Sequence, residues 1–335
     1  MNIEDYYMDI FKIDNRQNRI GRLEMRKDFN GKRYHSLNYF LRKKFNGQKT
    51  FKISLDGGFT CPNRDGKLSK GGCIFCSESG SGDFAGDRLS SITEQFVDIK
   101  EMMNKKWKDG KYIAYFQAYT NTYAPVEVLK KKYDEALTQE DVVGLAIATR
   151  PDCLEEDVLE LLEDYSKRVY TWVELGLQTS NDTTATLINR GYKLEIFKKT
   201  VEELHKRNID VVAHIIFGLP GESKEDMLKT VKYISKLPIK GVKIHLLHVM
   251  KNTRLEKLLD EGKITLLEMD EYIELVTKAI TMLPQDIVIH RLTGDAPRNL
   301  LVGPMWSLKK WEVLNAIDNK LVTEDLYQGK YYKED

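Results

Sequence analysis

From residue 51 onward the sequence alternates short runs rich in β-branched and aromatic residues with longer amphipathic stretches, and this rhythm narrows the fold more than any other feature. The strand candidates are 51–55, 112–118, 142–148, 171–177, 211–217 and 241–247, with a late run at 287–290 that is a further strand or an edge. Between them, segments 92–107, 154–165, 194–206, 224–237 and 266–282 repeat apolar residues near the helical period. Ser223 reads as an N-cap with an acid three residues on, and Gly110 and Gly191 read as helix stops. Strands separated by helices run parallel, joined by right-handed crossovers. Six such units predict an α/β fold, a partial (β/α)6 TIM-like barrel. An open dinucleotide-binding sheet is disfavoured because no G-x-G-x-x-G follows the first strand. The 335 residues then divide into a basic N-terminal extension (1–50), the barrel (51–290) and a C-terminal extension packed on it (291–335), where Trp306 and Trp311 serve packing.

Net charge is +1 and excludes nothing by itself, but its distribution is uneven. Residues 12–52 hold 13 Lys/Arg against 3 acids, a net +10 that leaves −9 for the rest. A basic arm on an acidic body suits a polyanion; the plain alternative is a solvated helical surface. No charged-then-apolar leader opens the chain and no apolar run is long enough to span a bilayer, so a cytoplasmic protein without a membrane partner is expected. Four cysteines in a chain of this length do not make a disulfide scaffold. Three of them fall within sixteen residues, which points to thiolates used as ligands in a reducing compartment.

Those three follow the first strand as Cys61, Cys73 and Cys76, a C-x11-C-x2-C loop. In a parallel barrel the loops after the strands form the active-site face. Three thiolates there suit three irons of a 4Fe-4S cluster and leave the fourth iron open to an external ligand. Zinc competes, with Cys153 or His35 as the missing fourth ligand, although a closed zinc site normally uses two paired halves and only one C-x2-C is present. Unligated core cysteines are the third alternative.

The run Lys52 to Gly66 (KISLDGGFTCPNRDG), followed by Gly71 to Cys76 (GGCIFC), resembles the radical SAM (S-adenosylmethionine) superfamily. Within it the likeness is to the YhcC/YtqA branch, related to the radical SAM domain of the Elongator catalytic subunit. The resemblance covers roughly residues 31–315 and implies two cofactors, a 4Fe-4S cluster on Cys61, Cys73 and Cys76 and SAM beside it. The second strand and its loop, Tyr115 to Tyr123, occupy the place that binds the SAM amino group, and Gln117, Ala118 and Thr120 are the candidates. The superfamily's Gly-Gly-Glu-like stretch is missing there. By likeness to oxygen-independent coproporphyrinogen oxidases, Gln178 would bind the ribose hydroxyls and Arg190 the methionine carboxylate. A guanidinium fork matches a carboxylate in that role. The segment from Ala213 to Glu222 resembles the one that lies against adenine, with Ile216 and His214 as candidates. His214 stands where those oxidases have an aspartate. His245 and His248, three apart, face opposite sides of a regular strand and make a poor metal pair.

The resemblance further implies reductive cleavage of SAM, a one-electron reductant such as flavodoxin or ferredoxin, and hydrogen abstraction from a substrate. Cys153 and Tyr119 are expected near the barrel mouth as candidate catalytic residues. Relatives in the branch are implicated in tRNA modification, turning the carboxymethylaminomethyl group at C5 of the wobble uridine into aminomethyl, with a partner methyltransferase acting afterwards. Arg33, Arg42, Lys43 and Lys44 would then meet tRNA phosphates. The chain has no room for an acetyltransferase domain, so acetyl transfer is not expected. A small nucleotide or another small molecule is the alternative substrate, and a zinc-stabilised RNA-binding module without catalysis is the alternative of another class.

Overall fold

The computed structural model describes residues 28–80, 82–105 and 110–333. Seven strands form one parallel sheet in sequential order: β1 (Thr50–Leu55), β2 (Lys111–Phe116), β3 (Val142–Thr149), β4 (Tyr170–Gln178), β5 (Asp210–Phe217), β6 (Gly241–Leu246) and β7 (Val288–Arg291). The sheet curls into a half-barrel, with one strand more than the six expected. The late run is that seventh strand, pairing in parallel with β6. It was ambiguous in the sequence because four residues are too few to show a period.

Alternating side chains give the sheet two apolar layers. The outer layer, including Leu55, Phe116, Ile147, Leu175 and Ile215, packs against Leu129, Leu162, Phe197, Val201 and Val276 of the surrounding helices. Each such side chain contributes about 1.5–3 kcal/mol when fully buried. The inner layer holds Ile113, Tyr115, Ala146, Ala148, Trp172 and Val212, with Phe45 and Tyr170 packed beneath. Helix Ile92–Asn104 begins on a Ser91/Glu94 capping box, and Lys224–Ile234 on a Ser223/Asp226 box as expected.

The two glycines read as helix stops do other work. Helix Asp182–Leu187 ends before Gly191, whose φ of +87° belongs to a loop in tight contact with Asn63. Gly110 lies where a Cβ would strike the Phe51 ring at 2.7 Å.

The described part of the N-terminal extension closes the barrel from below. His35 O accepts from Ile289 N (2.7 Å), and helix Leu37–Lys44 then crosses beneath the strand starts, setting Phe40 against Tyr170. The C-terminal helix Lys310–Thr323 packs beside helix Met269–Met282. Among the described residues no helix is long and apolar enough to cross a membrane.

Candidate active site

The C-terminal ends of all seven strands open on one cavity of about 560 Å³, lined by Ser54, Gln117, Ala148, Gln178, Ile216, His245 and Arg291 among others. The lumen below is layered. Tyr170, Trp172 and Phe45 make an apolar floor, charged side chains form a belt above it, and the mouth is roofed by the cysteine loop.

Cys61, Cys73 and Cys76 are partly buried and all line the cavity. Their loop is tied down at several points. Asn63 Nδ2 donates to Asn189 O (2.6 Å) and Arg190 O (3.2 Å) and reaches Cys73 Sγ at 3.6 Å. Arg64 donates to the carbonyls of Cys76 (3.3 Å) and Ser77, and Arg88 to those of Gly58 (2.7 Å) and Phe59 (2.6 Å). The hydrogen bond shared by the two thiols lowers Cys73 to about 7, against the cost of burial and with help from Arg150 and Arg64, and together with burial raises Cys76 well above its usual range. Cys73 is therefore the one of this pair that ionises first. Among the described residues no three His, Cys, Asp or Glu side chains converge on a single ion. Three thiolates lining one cavity are the donor set of a 4Fe-4S cluster that leaves its fourth iron open.

Glu174 is fully buried at the centre of the belt. Its carboxylate accepts from Trp172 Nε1 (3.0 Å), His214 Nε2 (3.0 Å) and Lys243 Nζ, and Lys52 Nζ stands 3.9 Å away. Lys243 also donates to Tyr115 OH (3.0 Å). Burial opposes the charge on Glu174, but Lys243, Lys52 and His214 outweigh it and hold the carboxyl well below its usual range. Burial and neighbouring Lys243 lower His214 to about 4, so its ring is neutral at pH 7 and Nε2 carries the proton it gives to Glu174. The sequence offered one signal for this belt, a lysine in the middle of the apolar strand Gly241–Leu246, and that signal was missed.

His245 and His248 both line the cavity, against the parity expected of a regular strand. The reason is that β6 stops at Leu246 and the chain turns into the short pairing of Val249–Met250 with Leu301–Gly303.

This cavity and loop coincide with a family match. Residues 61–234 match the radical SAM superfamily and residues 239–323 the radical SAM C-terminal domain. The chain belongs to the radical SAM superfamily. It is 52% identical over 302 residues to protein YtqA of Bacillus subtilis, spanning 90% of this chain and 94% of that one. It is 30% identical over 164 residues to a tRNA uridine(34) acetyltransferase of Methanocaldococcus infernus, spanning 48% of this chain and 30% of that one. Among solved structures, the archaeal M. infernus Elp3 with an N-terminal deletion shares the fold, with a TM-score of 0.63 and 19% identity over 83% of this chain and 64% of that one. Radical SAM enzymes use a 4Fe-4S cluster and SAM, and these are the cofactors of this chain.

Of the residues expected to meet SAM, Gln117, Thr120, Gln178, His214 and Ile216 line the cavity, whereas Ala118 is fully buried outside its wall. Gln178 ends β4 at φ +60°, with Oε1 3.3 Å from Tyr192 OH. Arg190 also reaches the cavity, but its guanidinium is already engaged: Nη1 donates to Leu177 O and Thr179 O (both 2.7 Å), Nε to Tyr192 O (3.0 Å) and Nη2 to Asp182 (3.1 Å). It clasps the end of β4, so the expected grip on a methionine carboxylate would require breaking these bonds. Arg150 is similarly committed, bidentate to Asp152 (2.9 and 2.7 Å) and bonded to Arg190 O (2.9 Å).

Of the two expected catalytic residues, Tyr119 lies in the cavity wall and Cys153 does not. Cys153 is buried, and burial and Asp152 push its thiol up to about 12. Tyr119 lines the cavity, but its hydroxyl donates to Glu78 O and its ring lies under Arg64 and Arg88 at 5.5 and 4.9 Å. It braces the cysteine loop.

The basic arm is described only in part. Residues 12–27 lie outside the described residues. Arg33 is spent on Asp325 (2.7 Å) and Leu326 O (3.3 Å), and Lys44 stands 3.9 Å over the Tyr170 ring at the barrel floor. Arg42 and Lys43 are exposed on the same helix end. β4 runs from Tyr170 to Gln178, so this patch is about 26 Å from the mouth at strand spacing.

Proposed function

We propose that this radical SAM enzyme acts on tRNA and converts a carboxymethylaminomethyl group at C5 of the wobble uridine to aminomethyl. The observation that carries the reading is the identity to a tRNA uridine(34) acetyltransferase across 164 residues, with the shared Elp3 fold in support. In this reading Cys61, Cys73 and Cys76 hold the cluster, and Gln117, Thr120, Gln178, His214 and Ile216 surround SAM. When bound, these cofactors supply reductive cleavage of SAM and an adenosyl radical for hydrogen abstraction. The chain's own residues position the reactants. Asn63, Arg64 and Arg88 fix the cysteine loop, Arg190 fixes the end of β4, and the walls keep water from the reacting atoms. The base enters the cavity flipped from its stack.

A small nucleotide as substrate is the second reading, favoured by the position of Arg42, Lys43 and Lys44 at the end of the barrel away from the mouth. Mass spectrometry of tRNA nucleosides from cells with and without the gene separates the two. Loss of the gene should leave carboxymethylaminomethyluridine in place of aminomethyluridine. An unchanged nucleoside profile sinks the tRNA reading.

A further inference from the structure

The belt beneath the mouth carries more positive charge than its own carboxylate balances. Lys52 and Lys243 are paired to a single buried acid, Glu174, with Arg291 acting on Lys243 from nearby; burial pushes both lysines down, and Glu174 opposes it. That acid already accepts from Trp172, His214 and Lys243. Asp295 lies 3.7 Å from Arg291 but is also held by Lys310 at 2.7 Å, so it does not neutralise the belt. Above the belt, ring nitrogens His245 Nε2 and His248 Nε2 are buried without a partner among the described residues, although both rings line the cavity. Burying Lys52 and Lys243 on one carboxylate, beside unpaired polar atoms, is costly. Cavities that keep such groups do so for a ligand that completes them.

We propose that Lys243 and Arg291, with His245 beside them, form a subsite for a carboxylate carried by the substrate. A carboxylate is acceptor-only and planar, so it suits the Lys243 ammonium and the fork of Arg291 together. Glu174 does not compete, because its oxygens are filled and it serves to hold Lys243 in place. The same belt repels a purely cationic group and leaves a neutral amide with mismatched donors. The subsite rests on the tRNA reading for its substrate, since carboxymethylaminomethyl ends in a carboxylate and the aminomethyl product has lost it. Product is thereby released from the group that anchored it.

The test uses the holoprotein, loaded anaerobically with its cluster and SAM. Equilibrium dialysis compares 5-carboxymethylaminomethyluridine with its carboxamide isostere. The carboxylate should bind at least tenfold more tightly. Arg291→Gln and Lys243→Met should each reduce the preference below threefold at unchanged iron content and circular dichroism. Arg291 is partly exposed, so its variant folds even if the Lys243 variant does not. A second arm uses N-methylglycine and N-methylglycinamide, read by the histidine ring signals in NMR, and needs no nucleoside recognition. If the nucleoside does not bind but N-methylglycine shifts those signals and its amide does not, the subsite stands and the tRNA reading falls. If neither pair shows a carboxylate preference, or the preference survives both substitutions, the subsite is overturned even where tRNA is converted.

Discussion

At Gly191 the backbone takes φ +87°, and a Cβ would stand 2.7 Å from Asn63 Oδ1 and 3.3 Å from Arg150 Nη2. Asn63 is the residue that ties the cysteine loop to the carbonyls of Asn189 and Arg190. An added methyl therefore meets two penalties, a left-handed backbone and a displaced clamp. Gly191→Ala should cost about 2 kcal/mol in urea unfolding, of which about 1–2 is the backbone. It should also lower the iron retained after reconstitution. Full iron retention at unchanged stability would falsify the clamp. The sequence showed only Arg190-Gly191, which reads as a helix ending, because the atom that demands glycine sits in a distant loop. Local patterns report backbone preference and cannot report such an encounter. The same limit hid the belt: Lys52, Glu174 and Lys243 come from three strands, and only the curled sheet brings them together.

Elements were far more legible. Helix Leu194–Lys206 has the expected boundaries, and the six main strands fall within a residue or two of theirs. Period and capping are local, so one chain suffices to read them. What the elements do at each end of the barrel was not local. The basic helix Leu37–Lys44 reads as an RNA arm by composition, yet it seals the floor with Phe40 and Phe45. The cysteine loop at the mouth carries Lys67 and Lys70, both exposed. If tRNA enters by the mouth, Lys67→Glu with Lys70→Glu should weaken tRNA binding about tenfold and flatten its dependence on salt, because fewer counterions are released. Arg42→Glu with Lys43→Glu should change it less than threefold. Filter binding across a salt series decides, and the reverse ranking places the tRNA on the floor side.

At the scale of the molecule, both extensions are fastened to the last strand through one side chain. Gln328 is 1% exposed; its Oε1 accepts from His35 N (2.8 Å), and its Nε2 donates to Pro284 O (2.6 Å) and Ile287 O (2.8 Å). Its own N–H donates to Arg33 O (2.9 Å). The N-terminal segment, the start of β7 and the C-terminal tail are thus held as one body, although composition divides them. Removing the amide leaves His35 N–H and Ile287 O without partners, while Pro284 O keeps the Ile287 amide (3.2 Å); each orphaned group costs about 1–3 kcal/mol when buried, less where water reaches it. Gln328→Ala should therefore lower the unfolding free energy by about 3 kcal/mol. The loss should also be uneven. The Ile289 amide is bonded to His35 O, so its hydrogen exchange should accelerate more than that of Val173, deep in β4, which opens only with the whole sheet. Equal acceleration at both amides means that the extensions and barrel unfold together without this clamp. Faster exchange at Ile289 alone means that the barrel stands without them and that Gln328 holds the floor shut.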